Sequence, residues 1–96
     1  MRIDDIVWLP AIVEKLYSKH AIETTEVEDV LLFHPVVEHV ERGHRPGENL
    51  YSAMGQTGEG RYIVVFFVLK SNRQALVISA RDMTTQERRR YVGYRG

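Results

Sequence analysis

Two short runs near the end of the chain carry residue types that can act on a phosphodiester: Val77, Ile78, Ser79, Ala80, Arg81, and then Glu87, Arg88, Arg89, Arg90, Tyr91. Attack on RNA without a metal uses the neighbouring ribose hydroxyl as nucleophile. A protein that promotes it must supply a base, an acid and cations for the charge that builds on phosphorus. Arg81 is the first candidate cation, because a guanidinium matches phosphate with a bidentate fork and a strand end would hold it in place. Its alternative is a salt bridge to Asp82 or Glu87 that ties strand to helix. Arg61, where a turn enters the longest apolar run, reads either as a second phosphate contact or as a solvated turn residue.

His20 titrates in the range that proton transfer at neutral pH requires, yet it also suits the end of a helix, where a cation meets the helix dipole. Tyr91 has the chemistry to stack a base or donate a proton, or it anchors the last helix through its ring. Glu87 reads as a helix cap and, after that, as a general base. Arg88 joins Arg61 and Arg81 as a candidate RNA contact. Arg88, Arg89 and Arg90 cannot all face one way on a helix, so at least one is solvated surface. No metal site is expected: His34, His39 and His44 recur at a spacing that fits neither a helical pair nor one face of a strand. Gly55, Gly58 and Gly60 lie between strands with no helix to follow, which makes them turn glycines rather than a phosphate loop. Ser79 has no evident base near it in sequence.

The elements that must position these groups follow from periodicity. Leu9, Ile12, Val13 and Leu16 have the spacing of a helix with one buried face, opened by Pro10 and running to His20. Thr25 and Glu28 have capping-box spacing, and Val27, Val30 and Leu31 give a second short helix that stops before Pro35. Val36–Val40, Leu50–Gln56, Tyr62–Leu69 and Ala75–Ala80 read as strands, with Arg42–Gly47 a loop and the segments 57–60 and 71–73 hairpin turns. Tyr62–Leu69 is apolar on both faces and so belongs at the centre of the sheet. Strict alternation on the last strand sets Val77, Ser79 and Arg81 on one face and Leu76, Ile78 and Ala80 on the other. Thr84 and Glu87 form another capping box, opening a helix from about Thr85 to Tyr91. The expected fold is α+β: two N-terminal helices packed on an antiparallel sheet of about four strands, with a short basic C-terminal helix, in one domain spanning residues 1–96.

With 96 residues and no cysteine, the chain is expected to bury a single core without disulfides or thiolate metal sites. Nothing at its start resembles a signal peptide, and no apolar run is long enough to span a membrane, so a cytoplasmic location and no membrane partner are expected. Formal net charge is zero, which argues against a general nucleic-acid coat. That average hides a split: acids dominate up to Glu59, whereas from Gly60 onward Arg61, Lys70, Arg73, Arg81, Arg88, Arg89, Arg90 and Arg95 face only Asp82 and Glu87. The basic half is a footprint for a polyanion or an acidic partner, or a solubilising surface.

Several features occur together in one order: Trp8 before the first helix, Lys19 and His20 at its end, and Glu26–Leu31 in the second. They continue with Gly55, Gly60 and Arg61 leading into Val64 and Val65, then Ser79-Ala80-Arg81, then Glu87-Arg88-Arg89-Arg90-Tyr91. In these the chain resembles the BrnT toxins of bacterial type II toxin-antitoxin systems. The resemblance implies a RelE-like fold and a metal-independent endoribonuclease, without cofactor, that arrests translation. It also implies an RNA substrate, taken free or on the ribosome, and neutralisation by a small DNA-binding antitoxin through which the toxin oligomerises. Related folds include toxins that act on a topoisomerase, and a scaffold that has lost nuclease activity would serve as a binding module. Where the family commonly has aspartate, lysine, asparagine and glycine, this chain has Leu9, Ile12, Leu16 and Ala21, which reads as a first helix grown more apolar on its surface.

Overall fold

The computed structural model describes residues 1–43, 45 and 47–95, so His44 and Pro46 of the expected loop, and with them part of the histidine series, lie outside the described residues. The chain runs β1 (Asp5–Val7), α1 (Pro10–His20), α2 (Thr24–Leu32), β2 (Val36–Glu41), β3 (Leu50–Gln56), β4 (Tyr62–Leu69), β5 (Gln74–Asp82) and α3 (Thr85–Arg95). The five strands form one sheet in the order β1-β5-β4-β3-β2. The expected sheet of about four antiparallel strands is therefore corrected. A three-residue strand, too short to carry a periodic signal, pairs parallel to β5 and makes the sheet five-stranded and mixed.

Pro10 opens α1, and Ala21 closes it in the left-handed conformation with φ 52°. The Ala21 N–H donates to the Tyr17 carbonyl at 2.9 Å and the Ile22 N–H to the Leu16 carbonyl at 3.1 Å. α2 opens two residues earlier than its sequence suggests. The capping box is Glu23 with Glu26, whose carboxylate accepts the Glu23 N–H at 3.0 Å, and the expected Thr25–Glu28 box does not form. Ile22, fully buried just upstream, fixes that frame.

Both helices lie on one face of the sheet. Leu16, Ile22, Val27, Val30 and Leu31 pack there against Ile63, Val65, Phe67, Ala75, Val77 and Ala80, with Ile12 partly buried beside them. A Cβ at Gly55 would stand 3.0 Å from Val30 Cγ1, so the missing side chain is what lets α2 lie so close on β3. Leu16 is thus core, and the expectation of a more apolar surface on α1 is corrected at Ile12 and Leu16, while Leu9 is exposed. The opposite face carries α3, held by buried Tyr91 against Met54 and Val64, with Val36, Tyr62, Phe66 and Met83 around them. β4, the middle strand, is covered on both faces as its composition suggested.

The alternation expected on β5 is broken by a bulge. Phe66 pairs with Ser79 and Phe67 with Val77, which leaves Ile78 as the extra residue, exposed. Val77 and Ala80 therefore share the α1–α2 face. Ser79 and Arg81 lie on the α3 face, opposite Phe66 and Val64. α3 also runs one turn further than expected, to Arg95.

Candidate nucleic-acid interface

Arg81 projects from the end of β5 into a fork made by Glu87. Its two terminal nitrogens donate to the carboxylate at 2.7 and 3.0 Å. The same carboxylate accepts the Thr84 N–H at 2.9 Å while the Thr84 hydroxyl accepts the Glu87 N–H at 3.1 Å, so the expected capping box is present. One side chain thus starts α3 and ties it to the strand. Hydrogen bonds from Arg81, reinforced by the Thr84 N–H, hold the Glu87 carboxyl down at about 2 against the opposing effect of burial. Arg81 is correspondingly held above the ordinary arginine value by its hydrogen bonds to Glu87. Its guanidinium carbon also lies 5.4 Å from the centre of the Phe66 ring.

Along α3 the other arginines diverge, as helix geometry requires. Arg88 stacks on the Tyr62 ring at 4.1 Å, a cation–π contact that fixes the guanidinium without engaging a carboxylate. Arg90 turns the other way and donates to Glu38 of β2 at 2.9 Å. Arg88 and Arg89, with Thr85 and Val92, line a shallow hollow of about 480 Å³. Tyr91 is buried, edge-on to Tyr62 with ring centres 6.0 Å apart, so in this structure it anchors the helix. Arg95 donates to the His34 carbonyl at 3.2 Å and secures the far end.

Arg61 and His20 belong to the other side of the sheet. The Arg61 guanidinium donates to both oxygens of Asp82, at 2.7 and 3.1 Å. It also donates to the His20 carbonyl at 2.7 Å and the Ala21 carbonyl at 2.8 Å, and it reaches Glu26 at 3.4 Å. All five of a guanidinium's N–H donors have acceptors here. A cation against the last carbonyls of α1 is where the helix dipole favours one. Neither sequence-based reading of Arg61, phosphate contact or solvated turn residue, describes this arrangement: it is a brace joining α1, α2 and β5. Hydrogen bonds from Arg61 lower the Asp82 carboxyl below its usual range, and the charge on His20 adds to that.

Of the sequence-based candidates, Arg81, Glu87, Arg88 and Tyr91 therefore come together on the α3 face, whereas Arg61 and His20 meet on the α1–α2 face. Adjacent residues on a strand point to opposite faces, which is why the Asp82 carboxylate serves Arg61 while Arg81 reaches only the Asp82 carbonyl, at 3.2 Å. Sequence reasoning missed Phe66, Glu38 and Glu26 as neighbours of these arginines. Phe66 was hidden in a uniformly apolar run, and only the pairing of Glu38 with Ser52 brings that carboxylate within reach of α3.

The class of protein that this arrangement defines is a small α+β domain with an arginine-bearing sheet face beneath a basic helix. Residues 8–87 match the family described as the ribonuclease toxin BrnT of type II toxin-antitoxin systems. The chain belongs to that family. No curated protein matches it. A type II system implies an antitoxin partner, and no helix among the described residues is long and apolar enough to cross a membrane.

Proposed function

We propose that the chain is a metal-independent endoribonuclease toxin whose RNA-facing surface is the α3 face, with Arg81 as the group that meets the scissile phosphate. The observation that carries this reading is the Arg81–Glu87 fork: a planar bidentate anion already occupies the place that a phosphate would take. Exchange of carboxylate for phosphate has a second consequence. Glu87 held at about 2 is a weak base, and loss of its arginine partner returns the carboxyl toward the ordinary range, the direction that proton abstraction from a ribose hydroxyl requires. Arg88, fixed on Tyr62 and free of a carboxylate in the described contacts, serves a flanking phosphate. Tyr91 supports the site by seating α3, and a catalytic part for Arg61 and His20 would require RNA to reach round the sheet edge to the α1–α2 face.

The antitoxin, proposed to be a small DNA-binding protein, neutralises by covering the α3 face, since masking these arginines blocks access to RNA on or off the ribosome. The binding-module alternative rests on the apolar residues at Leu9, Ile12 and Leu16; packing accounts for Leu16 in the core and for Ile12 beside it, which leaves only the exposed Leu9 in its support.

Expression in bacteria tests the reading. Wild-type chain should arrest growth and cleave messenger RNA, Arg81→Ala should do neither while keeping its circular dichroism, and Arg81→Lys should not fully restore either, because an ammonium lacks the fork. Normal growth with intact messenger RNA under wild-type expression would overturn it.

A further inference from the structure

We propose that Phe66 is a stacking platform for a nucleobase of single-stranded RNA, seated next to the phosphate that Arg81 binds; this rests on the reading that the α3 face meets RNA. Phe66 lies in the middle of the central strand, where its neighbours Val65 and Phe67 are fully buried, yet it is only partly covered. The cause is the row it occupies. α3 seats Tyr91 on the row Val36–Met54–Val64–Arg81, and the next row is Glu38–Ser52–Phe66–Ser79. With a serine on either side, the ring stands above its cross-strand neighbours instead of being wedged between large side chains.

What surrounds the ring is the chemistry a nucleotide needs. The Arg81 guanidinium carbon lies over the ring, 5.4 Å from its centre, while Arg90 donates to Glu38 two strands away in the same row, with its guanidinium 4.0 Å from Met54 Sδ. An aromatic ring next to a cation suits a base stacked beside its own phosphate, and the half-buried Ser79 hydroxyl can pair with a base edge as donor or acceptor, whereas Ser52 is buried beneath. A protein partner's apolar side chain would leave the Ser79 hydroxyl and the Arg81 cation facing hydrocarbon, which disfavours it.

Binding by fluorescence anisotropy to a labelled 2′-O-methyl oligonucleotide, which lacks the attacking hydroxyl, decides the question when compared with the same backbone made abasic. Loss of one base–aromatic stack corresponds to a fall of about five- to a hundredfold in affinity. Phe66→Leu, which keeps apolar volume against the α3 cluster, should weaken binding to the base-bearing strand within that range and cost the abasic strand far less, only what the lost contact with Arg81 costs. Phe66→Tyr should restore it. Ser79→Leu, which crowds the ring from the neighbouring strand while leaving Phe66 itself in place, should also weaken only the base-bearing strand, and it keeps the test open if Phe66→Leu fails to fold. Equal losses on both strands, or no loss on either, would overturn the proposal. If Arg88→Ala weakens both strands while Phe66→Leu weakens neither, the RNA-facing surface stands and the platform falls. If wild-type chain binds neither strand, the reading of the face falls and takes the platform with it.

Discussion

The Arg81–Glu87 fork makes a stability prediction whose size follows from the geometry. Glu87 is depressed from 4.5 to about 2, so its contribution is fully present above its unfolded value and is lost as pH falls through the window from about 4.5 to about 2. At about 1.4 kcal/mol per pH unit the shift sets a ceiling of roughly 3.5 kcal/mol. Glu87 is 17% exposed but Arg81 is 37% exposed, and solvent screening of the cation brings the expected contribution to about 1–2 kcal/mol. Urea denaturation at pH 7, 4.5, 3.5 and 2.5 measures it. Wild-type chain should lose that amount across the window beyond what Glu87→Gln loses, because the amide still accepts the Thr84 N–H and so keeps the cap while removing the titration. At pH 7 the amide should cost about the same 1–2 kcal/mol, and on Arg81→Ala it should cost much less. Parallel pH curves for wild type and Glu87→Gln would refute the reasoning, and so would equal costs in the two backgrounds.

Arg61→Ala should destabilise the chain by about 2 kcal/mol or more in the same denaturation assay, since it leaves Asp82, Glu26 and two helix-end carbonyls without their cation; a loss of RNA binding with unchanged stability would contradict its part as a brace. Ala21→Gly should raise stability by about 0.5–1 kcal/mol in thermal melts, because glycine adopts the left-handed cap without the Cβ penalty; no gain would mean that the unfolded chain's extra freedom cancels the relief. Deleting Ile78 should give a regular β5 with Arg81 and Asp82 on their present faces, so toxicity should persist and the melting temperature should change by only a few degrees; an inactive but folded deletion would show that the bulge aims Arg81.

How far the sequence could be read depended on whether a residue's environment was local. The central strand, the two N-terminal helices and the Thr84–Glu87 cap are decided by neighbours within a few residues, and they appear where periodicity put them. β1 is three residues long and exists only because β5 accepts it. The bulge at Ile78 is equally invisible: Val77, Ile78 and Ala80 are all apolar, so nothing in their types shows where the alternation slips. That slip separated Val77 from the face that Ser79 and Arg81 share. The resemblance to the BrnT family picked out the arginines of its motifs in the chain but could not distribute them between faces. Charge counting failed for the same reason, since it treated Arg61 and Arg81 as one footprint.

The two arginines have the same chemistry and nearly the same place along the sheet, entering and leaving β4 and β5 at one end. Their different fates come from what stands opposite. Arg61 meets two helix-end carbonyls that cannot leave and two carboxylates held by other elements, so every donor is committed to the fold. Arg81 meets a single carboxylate on the first turn of a helix that is seated by one buried tyrosine. An anion able to offer two oxygens in one plane can compete for Arg81 at the cost of one cap, whereas at Arg61 it would have to dismantle the junction of three elements. Proximity and charge are therefore poor guides to which arginine serves a ligand. The replaceability of its partner decides it, and on that criterion the α3 face holds the exchangeable site.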